Sequence, residues 1–225
     1  MTITFCIETS GAHCSLALAV DEQIYGADRE LHRTHNLHLL PMVDELFEQA
    51  GVRATDVELV AFGCGPGSFT GVRIAAAVSQ AIALAANAAV LPVASSTTLA
   101  TTAAVEVEAA NCIVSCIASR GNAFYLSCFD RALDTPNMVN EMRADELVQA
   151  PPAWLSARLP EPIVVVGALP DWFPASLRGE FVDDLYPRAR CMVRVAVDLH
   201  EAGASGPPES GLPHYVAGDS PWRKQ

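Results

Sequence analysis

Apolar and polar positions alternate at the start of the chain. Thr2 to Glu8 is apolar at Ile3, Phe5 and Ile7, the period of two that a β-strand requires. Cys14 to Val20 and Gln23 to Glu30 are two more strand-like runs, joined by a turn at Asp21-Glu22, so the opening stretch predicts an antiparallel meander. The period then changes. Leu39, Leu40, Val43, Leu46, Phe47 and Ala50 recur at three- and four-residue spacing, which predicts a helix from a cap at Thr34 or Asn36 to a stop at Gly51. Pro41 falls in its first turns, where proline is best tolerated. Val57 to Phe62 is an apolar run interrupted only by Glu58, read as a buried strand. The alanine-rich run that follows predicts a helix from about Thr70 to Ala86, with Ser68 or Thr70 as its cap. Val90 to Ala94 is a short strand, and Ser95-Ser96-Thr97-Thr98 can cap a helix up to about Glu108.

Three strands followed by alternating helices and strands make a layered α/β domain. The pattern then begins again. Asn111 to Ala118 and Ala123 to Phe129 read as strands around a turn at Arg120-Gly121-Asn122, Ile163 to Gly167 as a third, and Cys191 to Ala202 as a helix. Gly203 to Pro213 reads as a loop. The expected division is 1–106 and 107–225.

The densest chemical signal is Ala61 to Arg73, A-F-G-C-G-P-G-S-F-T-G-V-R, between the buried strand and the alanine-rich helix. A glycine-rich strand-to-helix turn lets another group approach the backbone and aims N–H groups at it, often a phosphate. The same spacing also fits a tight structural turn. The loop has no Walker lysine, and it does not give G-x-G-x-x-G. A second candidate is Glu8-Thr9-Ser10-Gly11 at the first hairpin tip, where an acid and two hydroxyls suit a metal-bound phosphate or an ordinary turn.

Composition narrows the function. The 225 residues are 51% hydrophobic and 18% charged, which supports a sizeable core. A net charge of -12 argues against general nucleic-acid binding by this chain alone. The start of the chain reads as a strand and not as a signal peptide, and polar residues and Pro92 interrupt the longest apolar window, Ile74 to Val93. A cytoplasmic protein with seven reduced cysteines is expected. His32, His35 and His38 are spaced for one helix face, but the caps place the first two ahead of the helix. Cys112 and Cys116 have no second pair nearby. Neither group predicts a metal site.

Gly65 to Ile74, G-P-G-S-F-T-G-V-R-I, resembles the TsaB/YeaZ family, bacterial partner proteins of the tRNA threonylcarbamoyladenosine system. The acidic-Thr-Ser hairpin, His35 followed by Leu40-Pro41-Met42-Val43, Ser95/Ser96-Thr97, Arg120 with Phe124-Tyr125, Tyr215 and Trp222-Arg223-Lys224 are similar to the family too. The resemblance implies an actin/sugar-kinase/Hsp70-like (ASKHA, RNase H-like) α/β fold of two related subdomains. It also implies a non-catalytic partner of the TsaD-like subunit, which transfers threonylcarbamoyl to N-6 of adenosine 37 of tRNAs reading codons that begin with A.

The implied partners are that subunit, a TsaE-like ATPase, a second copy of this chain when it is alone, and tRNA mainly through the complex; no membrane is implied. ATP and a divalent metal belong to the complex, and no cofactor to this chain. The implied docking face is a helix pair, with Leu39, Val43, Leu46, Phe47, Val72, Ala76, Ser79 and Ala83 as its expected contacts. Glu8, Thr9, Ser10, Gly65, Pro66, Gly67, Ser68, Phe69, Thr70, Gly71 and Arg73 are the expected anion or nucleotide contacts.

The chain departs from related phosphotransferases and from its family in three ways. Glu8 stands where those enzymes have Asp. Ser119 stands where the family has Asp in Asp-Ala-Arg. Ala217 stands where the family often has Arg. With the second acid and any H-x-x-x-H motif missing, an active ATPase or phosphotransferase is the weaker reading. A peptidase, with no assembled nucleophile and base, is weaker still.

Overall fold

The computed structural model describes residues 2–31, 34–107, 111–132, 135, 138–157, 159–177 and 180–216. His32, Glu108, Ala217 and the basic tail Trp222-Arg223-Lys224 lie outside them. The chain divides into two units, Met1–Thr98 with Pro187–His214, and Leu99–Tyr186 with Tyr215–Gln225. This differs from the expected division at 106/107 in two ways. The chain passes from one unit to the other inside a helix, and a late segment returns to the first unit.

The first unit holds a five-stranded sheet made of β1 (Thr4–Glu8), β2 (His13–Val20), β3 (Gln23–Glu30), β4 (Leu59–Gly63) and β5 (Ala89–Val93), in the order β3-β2-β1-β4-β5. β1, β2 and β3 form the antiparallel meander, and β4 and β5 run parallel to β1. The alternation in β1 sends Phe5 and Ile7 into a core with Leu39, Met42, Leu46 and Phe47 of α1 (His35–Ala50) and Ala75, Ala76 and Ala83 of α2 (Phe69–Ala86). Phe5 and Phe47 meet at 5.1 Å between ring centroids. Gly51, in the left-handed region at φ 70°, ends α1, and Ser68 caps α2 by accepting from the N–H of Gly71.

Among the described residues, α2 is the one helix long and apolar enough to cross a bilayer by length and composition. It overlaps the longest apolar window of the sequence, Ile74 to Val93, which Ser79, Gln80, Asn87 and Pro92 interrupt. In the structure the helix lies on the sheet, with Val72, Ala75, Ala76, Ser79 and Ala83 buried.

The late helix, α4 (Ala189–Glu201), was expected in the second half and packs instead on β1 and β2 of the first sheet. Its buried stripe of Ala189, Met192, Val193, Val195 and Ala196 is a strong amphipathic signal, but periodicity does not say which sheet it covers. The side-chain oxygen of Ser15 in β2 accepts from the Ala189 N–H at 2.8 Å and fixes where α4 begins.

The second unit repeats the first. Its sheet is made of β6 (Cys112–Ala118), β7 (Phe124–Arg131), β8 (Val139–Val148), β9 (Ile163–Gly167) and β10 (Glu180–Val182), in the order β10-β9-β6-β7-β8. Here too an antiparallel meander is extended by two parallel strands. Leu99, Ala100, Ala103 and Ala104 of α3 (Ser95–Glu106) cover one face, against Ile113, Phe129, Val164 and Val166. The recurrence of one strand order in both sheets is the actin/sugar-kinase-like architecture. β8 and β10 were not predicted. β8 is an edge strand of mostly exposed polar residues, so it carries no apolar alternation. β10 is only three residues long.

Candidate functional site

The strand end, hairpin tip and helix start that sequence reading singled out do come together. What they hold is each other. Gly65 and Gly67 adopt φ of 106° and 149°, which a side chain would resist. The Ser68 N–H donates to the Ser10 carbonyl at 2.6 Å. An added Cβ on Gly67 would stand 2.5 Å from that same carbonyl oxygen. A Cβ on Gly71 would collide with the carbonyl oxygen of Thr9, whose hydroxyl donates to the Gly71 carbonyl at 2.8 Å. The close approach permitted by the glycines is therefore made by the carbonyls of Thr9 and Ser10. They supply the partial negative charge that a helix N-terminus favours. The hairpin-tip backbone thus lies against the loop on the side where the sequence leads one to expect an anion.

Glu8 is similarly internal. It is 2% exposed, with Oε1 accepting the Ser10 N–H at 2.7 Å and Oε2 accepting nothing. Its carboxyl fills the space left by the missing side chain of Gly63. Burial pushes its pKa above the ordinary 4.5, outweighing the bond from Ser10. A metal-bound phosphate needs an ionised, accessible acid over an open loop, and these residues do not fit that group.

The raised pKa carries a pH dependence. Glu8 holds its proton more tightly folded than unfolded, so its contribution is greatest below pH 4.5 and is lost as pH rises through the raised value. Glu8→Gln should match the wild type at low pH and exceed it in stability above that window, measured by urea unfolding at a series of pH values. Parallel curves for the two proteins would show that folding does not raise the Glu8 pKa.

The other site residues divide between surface and interior. Thr70 and Arg73 are exposed, Pro66 is buried, and the Arg73 guanidinium lies 3.6 Å from the centre of the half-buried Phe69 ring. Between the hairpin tip (Gly11, Ala12), the start of α1 (His35, Asn36) and the start of α2 (Ser68, Thr70) lies a cleft of about 620 Å³. His35 is buried there, with its Nε2 3.3 Å from the His13 carbonyl oxygen.

The expected docking contacts are corrected by burial. Leu39, Val43, Leu46, Phe47, Val72, Ala76, Ser79 and Ala83 are all buried within the chain. Most of them form the core beneath the two helices. The outward faces carry other residues. Leu37 (65% exposed) and Leu40 (58%) lie on α1, and Leu84 (75%) lies on α2 beside exposed Ala77 and Ala81. Sequence reading put Leu40 in the buried stripe and missed the rest. Leu37 falls opposite the 39/42/43/46 stripe, but Leu40 lies about 20° from buried Phe47 around the helix, so spacing alone does not mark it as exposed.

A sequence model of the family described as "TsaD: tRNA N6-adenosine threonylcarbamoyltransferase" matches residues 28–148. A protein of Escherichia coli K12, called tRNA threonylcarbamoyladenosine biosynthesis protein TsaB, is 30% identical across 97% of this chain and 96% of its own length. Its namesake from Haemophilus influenzae is 38% identical over 54% of this chain, a stretch that spans about half (51%) of that relative. Two solved structures align with 96% of this chain and 100% of theirs. One is "YeaZ from Pseudomonas aeruginosa", with a TM-score of 0.80 and 26% identity. The other is an uncharacterized protein "with similarity to peptidase YEAZ" from the same organism, with a TM-score of 0.83 and 27% identity.

Proposed function

This chain belongs to the TsaB/YeaZ family of tRNA threonylcarbamoyladenosine biosynthesis proteins, and on that premise we propose that it is the non-catalytic subunit that binds and activates a TsaD-like subunit. The complex transfers threonylcarbamoyl to N-6 of adenosine 37 of tRNAs that read codons starting with A. The observation that carries this reading is the outward face of α1 and α2, where Leu37, Leu40, Ala77, Ala81 and Leu84 stay exposed while the residues beneath form the core. The same region matches the TsaD family, so the partner has an equivalent helix pair to offer, and two related chains can meet through like surfaces. Small alanines let helix axes approach closely, and exposed leucines supply the apolar area.

The same face pairs with a second copy when the catalytic partner is missing. A TsaE-like ATPase joins the assembled pair in the cytosol, and ATP and a divalent metal act in the complex. The enclosed Glu8, its carboxyl turned into the chain, supports an accessory role for this chain. The net charge of -12 supports tRNA contact mainly through the partner.

Reconstitution tests the reading. The TsaD-like subunit, with the other components, should modify tRNA at background level until this chain is added. The chain alone should neither modify tRNA nor turn over ATP. Modification that proceeds equally without it, or metal-dependent ATP turnover by the isolated chain, overturns the proposal.

A further inference from the structure

We infer that the segment from Gly203 to His214 is a latch that holds the glycine loop, and that the backbone N–H of His214 is a positioning group for the docking face; the docking part of this rests on the function proposed above. After α4 the chain crosses the edge of β5. Val90 and Gly206 exchange two backbone bonds there, N–H of Val90 to O of Gly206 at 2.8 Å and the return at 2.9 Å. The short turn Pro208–Ser210 packs on α2. Gly211 sits so close to Val90 and Gln80 that an added Cβ would stand 2.7 Å from the Val90 Cγ1. The His214 N–H then donates to the Cys64 carbonyl at 2.8 Å, and the His214 carbonyl oxygen lies 3.0 Å from where a Gly65 Cβ would be.

Cys64 and Gly65 are thereby gripped from several sides. The Cys64 N–H donates to the Val93 carbonyl at 2.9 Å, and the Gly65 carbonyl accepts from the Ser95 N–H at 2.8 Å. The loop beyond is held by the hairpin tip through the Ser68 N–H and the Ser10 carbonyl. Of these grips, the latch alone comes from the segment after α4. It reaches both the loop and the α2 surface from the side opposite to β3, where the strand order starts, whereas the hairpin tip meets only the first turn of α2. Cys64 is 6% exposed, so its carbonyl has little access to water if the His214 bond is lost. An edge cover for β5 would need only the Val90–Gly206 pairing. The continuation to Cys64 is what makes the segment a positioning device for the helix that the loop launches.

Replacing His214 with proline removes the donated N–H, whereas His214→Ala keeps it. In hydrogen exchange on the full chain, His214→Pro should speed exchange of the Cys64, Ser68 and Ser95 amides at least tenfold relative to Ala17 and Leu18 in β2, and His214→Ala should not. Gly211→Val, which lifts the latch sterically and leaves the His214 N–H in place, should act in the same direction. Each loosened variant should bind the TsaD-like subunit at least fivefold more weakly, with His214→Ala at wild-type affinity. Loop amides that do not change, or amides that all speed up together, overturn the latch. Loosened loop amides with unaltered affinity overturn its positioning role. A wild-type chain that fails to bind the subunit at all overturns the function proposed above and the docking part of this inference, while the exchange result still decides the latch.

Discussion

Gly71→Ala should lower stability by about 3 kcal/mol, the upper part of the range for forcing extra atoms into packed structure, and so lower the melting temperature by roughly 6–12 °C for a chain of this size. Helix propensity alone predicts the opposite sign, because Gly71 lies inside α2 and alanine is favoured over glycine there by up to about 1 kcal/mol. The contact decides. The atom in the way is the Thr9 carbonyl oxygen, part of the backbone, which cannot rotate aside as the end of a long side chain can. Relief requires separating α2 from the hairpin tip. That separation stretches the bond from the Thr9 hydroxyl to the Gly71 carbonyl and the bond from the Ser68 N–H to the Ser10 carbonyl. Gly11→Ala is the control. Nothing lies within 4 Å of its added Cβ, and its stability should stay within about 0.5 kcal/mol of the wild type. Thermal and urea unfolding of both variants give the answer. An unchanged or raised melting temperature for Gly71→Ala would mean that the hairpin tip does not seat on the loop.

This result bears on how the glycine loop is read. From sequence, four glycines and a proline between a strand and a helix fit both a phosphate cradle and a structural turn. The distinction lies in what occupies the space above the loop, and that depends on Thr9 and Ser10, about sixty residues earlier in the chain. No local pattern records such a contact. The same holds for Glu8, whose partner cavity is the missing side chain of Gly63 on a neighbouring strand.

Elements defined by their own periodicity were legible. The meander β1 to β3 and helices α1 and α2 fall within a residue or two of expectation, because alternation and the 3/4 spacing directly reflect burial on one side. The restart of the pattern near residue 110 is the second sheet. Three features were not legible. β8 faces solvent along most of its length and has no apolar code. α4 has a clear stripe, but its destination is set by which sheet face lies uncovered. The burial of the residues expected at the partner was not legible because both the core side and the outward side of α1 and α2 carry apolar residues. A helix apolar most of the way round has two candidate faces, and the sequence does not rank them. Burial ranks them: Val43 and Ala76, once expected at the partner, lie beneath the helices.

Charging the outward face should abolish docking without unfolding the chain. Leu40→Glu and Ala81→Glu place a carboxylate on exposed positions of α1 and α2, where surface substitutions usually change stability by about 0.5 kcal/mol or less. Glutamate is a good helix former, so propensity adds little to that cost. In a close-packed helical interface the same carboxylate would lose its water with no cation provided for it, and an unpaired buried charge is expensive. Affinity for the TsaD-like subunit should fall at least 100-fold, equivalent to about 2.7 kcal/mol, and self-association of the isolated chain should fall with it. Ala76→Glu is the contrasting case. It lies next to exposed Ala77 but is itself 4% exposed, so the charge enters the core and the chain should unfold. Titration calorimetry with the partner, alongside thermal unfolding of each variant, separates the two effects. If Leu40→Glu and Ala81→Glu both bind like the wild type, the partner docks elsewhere. If Ala76→Glu stays folded and only loses binding, the division of α2 into a core side and a docking side is wrong.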